Sequence, residues 1–162
     1  MIPDDVIESM EGSVLCWLAT VSEAGLPNVS PKEAWVYSGA GKILVAHIAS
    51  PVTVRNIERI PEVCLSFINI FLQKGYKITG KARVLRKQME GFEEAFQSLT
   101  AAFGTQFPIS AVIEIQPQAV APIIAPSYRL FPDSGPLDKI EDALKTYRVI
   151  EYQKQIAERD AD

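Results

Sequence analysis

Ser50, Pro51, Thr53 and Arg55 stand close together in the stretch HIASPVTVRNIERIPEVCLSF, between two apolar runs. A proline after a serine reads as the first turn of a helix, with Ser50 at the cap and Pro51 at the first helical position. The chemistry such a turn offers is anion binding. Its backbone N–H groups lack partners in the helix and its end carries partial positive charge. The Ser50 hydroxyl can satisfy one of those donors, Thr53 falls one turn on, and Arg55 can add a bidentate contact to phosphate oxygens. The same residues also make an ordinary capped helix with a surface arginine, and spacing alone leaves both readings open.

Two other stretches carry polar groups in useful patterns. In YKITGKARVL, Lys77, Thr79, Lys81 and Arg83 alternate with apolar residues and so share one strand face, with Lys74 just before them. Several cations on one face of a chain with net charge −4 invite a ligand, although a solvated outer face is the alternative. In NVSPKEAWVY, Pro31 implies an edge or bulge that frees backbone groups, and Lys32 beside Ser30 adds a cation. Trp35 and Tyr37 can flank a planar ring or simply pack.

The remaining chemistry is mostly excluded. GAGK lacks the lead and the hydroxyl of a phosphate loop, and there is no GxGxxG, CxxC or GxSxG. A single histidine, His47, rules out the usual histidine metal cages, so no metal is expected; at the end of an apolar strand it reads as a structural residue with its hydrogen bonds met. The acidic balance argues against nucleic acid, which needs a basic footprint. Cys16 and Cys64 sit in apolar runs as small core residues rather than a disulfide framework, which suits a reducing cytoplasm. No signal peptide or membrane span is expected. With 162 residues, 48% hydrophobic and 22% charged, the chain reads as a soluble globular protein.

The elements that must position these residues follow from periodicity. Pro3 to Met10 predicts a short helix, SVLCWLATVS a buried strand, NVSPKEAWVYS a second, and ILVAHI a third after the GAGK turn. These three look like an antiparallel meander. The helix from Pro51 to about Arg59 comes next, then the strands EVCLSFINIF and YKITGKARVL, where Gly80 on the apolar face suggests a bulge. Met89, Phe92, Phe96 and Leu99 have helical spacing. SAVIEIQPQAVAPI is a sixth strand, with Pro117 marking an edge or bulge and Val112 out of phase with Ile113 and Ile115. A single terminal helix is predicted from Leu137 onward, with Leu137, Ile140, Leu144 and Tyr147 on one stripe. The expected fold is mainly β: a small six-stranded antiparallel barrel with helices packed on it.

The order of apolar strand, GLPNVSP, strand, SPVTVRNI, Pro-Glu-Val strand and GYKITGKA resembles the pyridoxamine 5′-phosphate oxidase-like family of FMN-binding split-barrel proteins, more narrowly its short flavin-nucleotide-binding members. The resemblance covers about residues 10 to 125. It implies a split-barrel FMN-binding domain over residues 1–125, with residues 126–162 a Pro-rich connection and a helix packing on the barrel or a dimer partner. It further implies a homodimer with FMN at the subunit interface. Ser50, Thr53 and Arg55 would hold the phosphate, and Asn56 would brace the turn. Ser30, Pro31 and Lys32 would lie along the ring, with Lys32 near its pyrimidine edge. Gln73 and Lys74 would reach the other subunit's flavin. Val52 stands where the family often has a basic residue, and the C-terminal stretch is unlike that of the true oxidase, so vitamin B6 synthesis is not implied.

A flavin asks for donors around its phosphate, apolar walls for its ring, and positive charge near the edge that gains negative charge on reduction. It brings its own chemistry, which explains how an oxidoreductase acting on a small molecule or reductant can lack a catalytic constellation of side chains. The alternatives are a non-catalytic module that stores flavin or haem, and a deazaflavin-dependent reductase on the same fold.

Overall fold

A computed structural model describes residues 2–160. Helix α1 (Asp4–Glu11) is followed by strands β1 (Cys16–Val21), β2 (Pro27–Lys32), β3 (Trp35–Tyr37) and β4 (Ile43–His47). Helix α2 (Pro51–Arg59) leads to β5 (Glu62–Asn69) and the long β6 (Lys74–Leu85). Then come α3 (Phe92–Phe103), β7 (Ala111–Ile124), the short α4 (Ser127–Leu130), α5 (Pro136–Thr146) and α6 (Val149–Arg159).

The strands form one antiparallel sheet in the order β2-β1-β5-β6-β7-β4-β3. Seven strands replace the expected six because NVSPKEAWVYS breaks in two. Its first half pairs with β1 and its second half with β4, so the halves occupy opposite edges of the sheet. Only Glu33 and Ala34 separate them. Since three residue steps span at most about 11 Å, the two edges must lie side by side, and the sheet curls into a barrel. The seam is closed by the chain itself, helped by the Ala46 N–H donating to the Ala34 carbonyl (2.9 Å). Alternation of buried and exposed residues along β1 and β6 sends Leu18, Ile78 and Ala82 inward.

Two apolar clusters result. The barrel interior holds Leu18, Leu65, Phe67, Ile78, Ile113 and Ile115, capped by Ile2, Val6 and Met10 of the N-terminal segment. Each such side chain contributes about 1.5–3 kcal/mol on burial. A second cluster lies outside the sheet, where Phe92, Ala95 and Leu99 of α3 cover Leu44, Ala46, Leu85 and Val112. This explains the phase of Val112: it faces α3 while its neighbours face the barrel. Met89 lies before α3 and is 46% exposed, so it does not extend the helical stripe.

Gly80 marks a bulge, as its place in the pattern suggests. The β6–β7 register shifts between Thr79 and Gly80, leaving Gln118 unpaired beside Pro117. The C-terminal segment differs from expectation. It forms two helices, because Arg148 adopts a left-handed backbone (φ 55°) that ends one and starts the next. Its predicted apolar stripe is covered only in part: Leu137 is 79% and Tyr147 47% exposed, while Ile140 and Leu144 are half-buried. Among the described residues, no helix is long and apolar enough to cross a membrane.

Candidate functional site

The seam between β2 and β3 faces the start of α2, and a cavity of about 1150 Å³ opens between them. Three of the residues singled out in the sequence, Ser30, Pro31 and Lys32, line it from β2, and Ser50 and Thr53 line it from the helix start. Barrel closure is what brings these distant stretches together. Helix α2 sits on the barrel through Thr53, Val54, Asn56 and Ile57, its buried face.

Thr53 lies at the centre of a hydrogen-bonded set. Its hydroxyl accepts from Asn28 Nδ2 (3.2 Å) and pairs with the Ser30 hydroxyl (2.9 Å). Asn28 Nδ2 also donates to Thr20 Oγ1, as does Asn56 Nδ2 (3.1 Å each). Asn56 is buried and ties α2 to β1 through Thr20, which is a bracing contact rather than a lining one. Asn28 and Thr20 escaped the sequence reading; Asn28, beside Pro27 and alternating with Ser30 on β2, was their one signal.

Ser50 departs from expectation. It stands at the α2 N-cap (φ −128°, ψ 64°) but makes no side-chain cap hydrogen bond. Its hydroxyl instead accepts from Lys32 Nζ. Pro51 brings no N–H of its own, and the other N–H groups of this first turn stay uncapped by any side chain. Lys32 is only 6% exposed, and among the described residues no carboxylate pairs with it. Burial lowers its pKa from the ordinary lysine value, an effect partly offset by the Cys16 thiol. Burial in turn pushes that thiol up to about 12, against the pull of the Lys32 charge and a backbone hydrogen bond, so Cys16 is not a nucleophile. A buried cation and an open helix start therefore converge with three hydroxyls.

The other named residues lie elsewhere. Arg55 is exposed, on the side of α2 opposite Thr53, and is not part of the cavity wall. Gln73 is exposed with a left-handed backbone (φ 53°), and the Lys74 ammonium sits over the Tyr128 ring (3.9 Å to its centre); neither lines the cavity. Two of the β6 cations are answered by cross-strand carboxylates, Lys81 by Glu62 (3.6 Å) and Arg83 by Glu114 (2.6 Å), and Lys77, Lys81 and Arg83 are all off the cavity wall. His47 is half-buried and off the cavity wall, and its Nδ1 has no partner, so it is not the satisfied residue expected. Burial, then the charges of Lys32 and Arg86, lower its pKa. Trp35 is 8% exposed and packs edge-on against Phe67 (4.7 Å), so its role is largely structural, although it also lines the cavity with Tyr37. Among the described residues, no cluster of His, Cys, Asp or Glu has the makings of a metal site.

The family model described as pyridoxamine 5′-phosphate oxidase matches residues 2–124. No curated protein matches the chain. Among solved structures, HupZ of Group A Streptococcus superposes with a TM-score of 0.63 at 19% identity, covering 74% of this chain and 92% of its own. HutZ, the heme storage protein of Vibrio cholerae, gives 0.60 at 22% identity, covering 72% and 91%. An FMN-binding protein of Syntrophomonas wolfei gives 0.62 at 13% identity, covering 75% and 88%. At these identities the likeness is one of fold, the split barrel.

Proposed function

Because the chain belongs to the pyridoxamine 5′-phosphate oxidase family, we propose that it is an FMN-binding flavoprotein, an oxidoreductase acting on a small molecule. The observation that carries this reading is Lys32. A buried ammonium with only a hydroxyl for company is costly unless an anion joins it. The uncapped start of α2 asks for the same partner. A phosphate satisfies both, and the Ser30, Ser50 and Thr53 hydroxyls supply further hydrogen bonds.

The rest of the wall suits a flat ring. Pro31, Ala34, Ala49 and Val52, which flank the start of α2, are apolar or small, and Trp35 packs into the core at the seam. In this reading Lys32 serves the phosphate end rather than the ring edge, since its ammonium is held at the start of α2. When bound, FMN itself supplies hydride or electron transfer. The chain's part is to fix the phosphate, orient the ring and exclude water from it.

Gln73 and Lys74 enter as the contribution of a second subunit. The exposed Trp17 and Val29, which share the outer face of the β1–β2 hairpin, support a homodimer, since apolar groups on one outer face favour a covering partner. Sedimentation as a monomer at micromolar concentration with cofactor bound would remove that part of the reading. Two free thiols agree with a reducing cytoplasm.

Haem is the second reading, because HutZ is a heme storage protein. Of the residue types that ligate haem iron, only Tyr37 lies on the wall among the described residues. The absorption spectrum of purified protein, followed by mass spectrometry of the molecule released on heating, decides between them. A flavin spectrum with released FMN is expected. A Soret band would favour haem, and a colourless protein that takes up no added FMN would overturn the proposal.

A further inference from the structure

The cavity is larger than one bound group requires. At about 1150 Å³ it exceeds the roughly 300–1,000 Å³ that hold a drug-sized ligand, and its two ends differ in chemistry. The polar groups collect at the start of α2. Across the seam the wall is Val36, Ala46, Ile48, Phe103 and Phe107, where the end of α3 meets β3 and β4. Ile48 is 39% and Phe107 42% exposed, so this end presents apolar surface to an incoming molecule. Among the described residues of the wall, Lys32 is the one cation, and the remaining charged groups are the exposed carboxylates Glu11 and Glu33.

Resting on the flavin reading, we infer that the apolar end is a second subsite, which admits an uncharged ring-bearing molecule beside the cofactor and refuses a phosphorylated one. Lys32 is already engaged at the start of α2, so an anion at the apolar end would lose its hydration with no cation to replace it. An uncharged ring loses nothing of that kind and gains contact with Phe103 and Phe107.

The test uses the full chain without substitution, in which Trp35 lies on the cavity wall. After loading with FMN and removal of excess, it is titrated with duroquinone, an uncharged quinone with no open ring position for the Cys64 thiol to attack. Pyridoxamine 5′-phosphate is titrated in parallel. Tryptophan fluorescence and the visible flavin band report binding. Saturable duroquinone binding at least tenfold tighter than that of the phosphorylated amine is expected. Phe107→Glu and Ile48→Glu should each weaken duroquinone at least tenfold. Retained FMN with no saturable duroquinone binding, or with equal affinity for the two molecules, would overturn the subsite. Failure to retain FMN would instead overturn the flavin reading. The cofactor-free chain then decides the subsite by itself: duroquinone binding sensitive to both substitutions keeps it, and insensitive or absent binding ends it.

Discussion

The Lys32 ammonium donates to the Ser50 hydroxyl at the start of α2, so the residue placed to cap the helix holds a buried cation instead. Two sources of positive potential, the helix end and the lysine, thus share one spot without a negative partner. Such an arrangement lowers the stability of the ligand-free chain and raises its affinity for an anion.

Lys32→Met separates these effects. In the folded chain burial holds the lysine pKa below its unfolded value of 10.5. Between the two values the unfolded chain binds more protons, so the contribution of this group to stability rises with pH across that window. Below it the charged, buried lysine costs stability, which Lys32→Met recovers. Urea unfolding of the cofactor-free proteins should show the variant more stable at pH 7, with the advantage shrinking toward pH 10. Its FMN affinity should fall by about 10–150-fold, the loss of roughly 1.5–3 kcal/mol for a charged hydrogen bond. A variant that binds FMN like the parent would remove Lys32 from the phosphate.

Arg55→Ala provides the comparison. Arg55 is exposed and off the cavity wall, so its charge acts through solvent. Its removal should cost less than about 1 kcal/mol, a factor below about five. Equal losses for the two variants, measured by flavin fluorescence titration, would return the phosphate contact to Arg55.

Thr53→Val tests the hydroxyl set. The substitution keeps the shape but strips a buried group from both Asn28 and Ser30. The cost should be about 1–3 kcal/mol in urea unfolding, with weaker FMN binding as well. Thr53→Ser should restore most of both. Were Val and Ser to behave alike, the hydroxyl would have no part in either.

The residues of the site were legible in the sequence where local rules governed them. Pro51 after Ser50 marks a helix start wherever it occurs, and the bulge at Gly80 follows from a glycine on the buried phase of a strand beside a proline-bearing neighbour. The break at Glu33 and Ala34 was not legible, because each half of that strand reads as continuous β and only closure of the barrel sends them to opposite edges. The same closure carries Lys32 to Ser50, a contact across eighteen positions that no local pattern encodes. Lys81 and Arg83 of β6 misled for a related reason: their carboxylate partners lie on neighbouring strands, so the sequence shows the cations in a row and hides these pairs. The two C-terminal helices look like one because Arg148 is an ordinary helix former whose left-handed backbone is set by its surroundings.

Gly80→Ala probes the bulge directly. A Cβ at this position would clash with the Gln116 carbonyl oxygen, which belongs to the paired backbone of β7 and cannot move aside alone. Overpacking of this kind costs about 1–3 kcal/mol, or roughly 2–12 °C in Tm for a chain of this size. Gly39→Ala is the control, since nothing lies within 4 Å of its added Cβ. Equal melting temperatures for the two variants would mean that β7 yields more readily than its pairing implies.

Glu114 links β7 to its neighbours and makes acid stability predictable. It accepts from Arg83 (2.6 Å) and Lys42 (3.0 Å), with its side chain 12% exposed. Burial alone would raise its pKa, but the hydrogen bonds and charges of Arg83 and Lys42 outweigh burial and hold it below the ordinary 4.5. With the folded value depressed, the stabilisation is fully present above the unfolded pKa and is lost as pH falls through the folded one. Glu114→Gln should therefore be less stable than the parent at pH 7, by about 1 kcal/mol because both cations are partly solvated. The two proteins should converge as pH drops below the carboxylate range. Urea midpoints at pH 7 and pH 3 measure this, and a difference that stays constant between them would mean that the Glu114 charge contributes nothing to holding β4, β6 and β7 together.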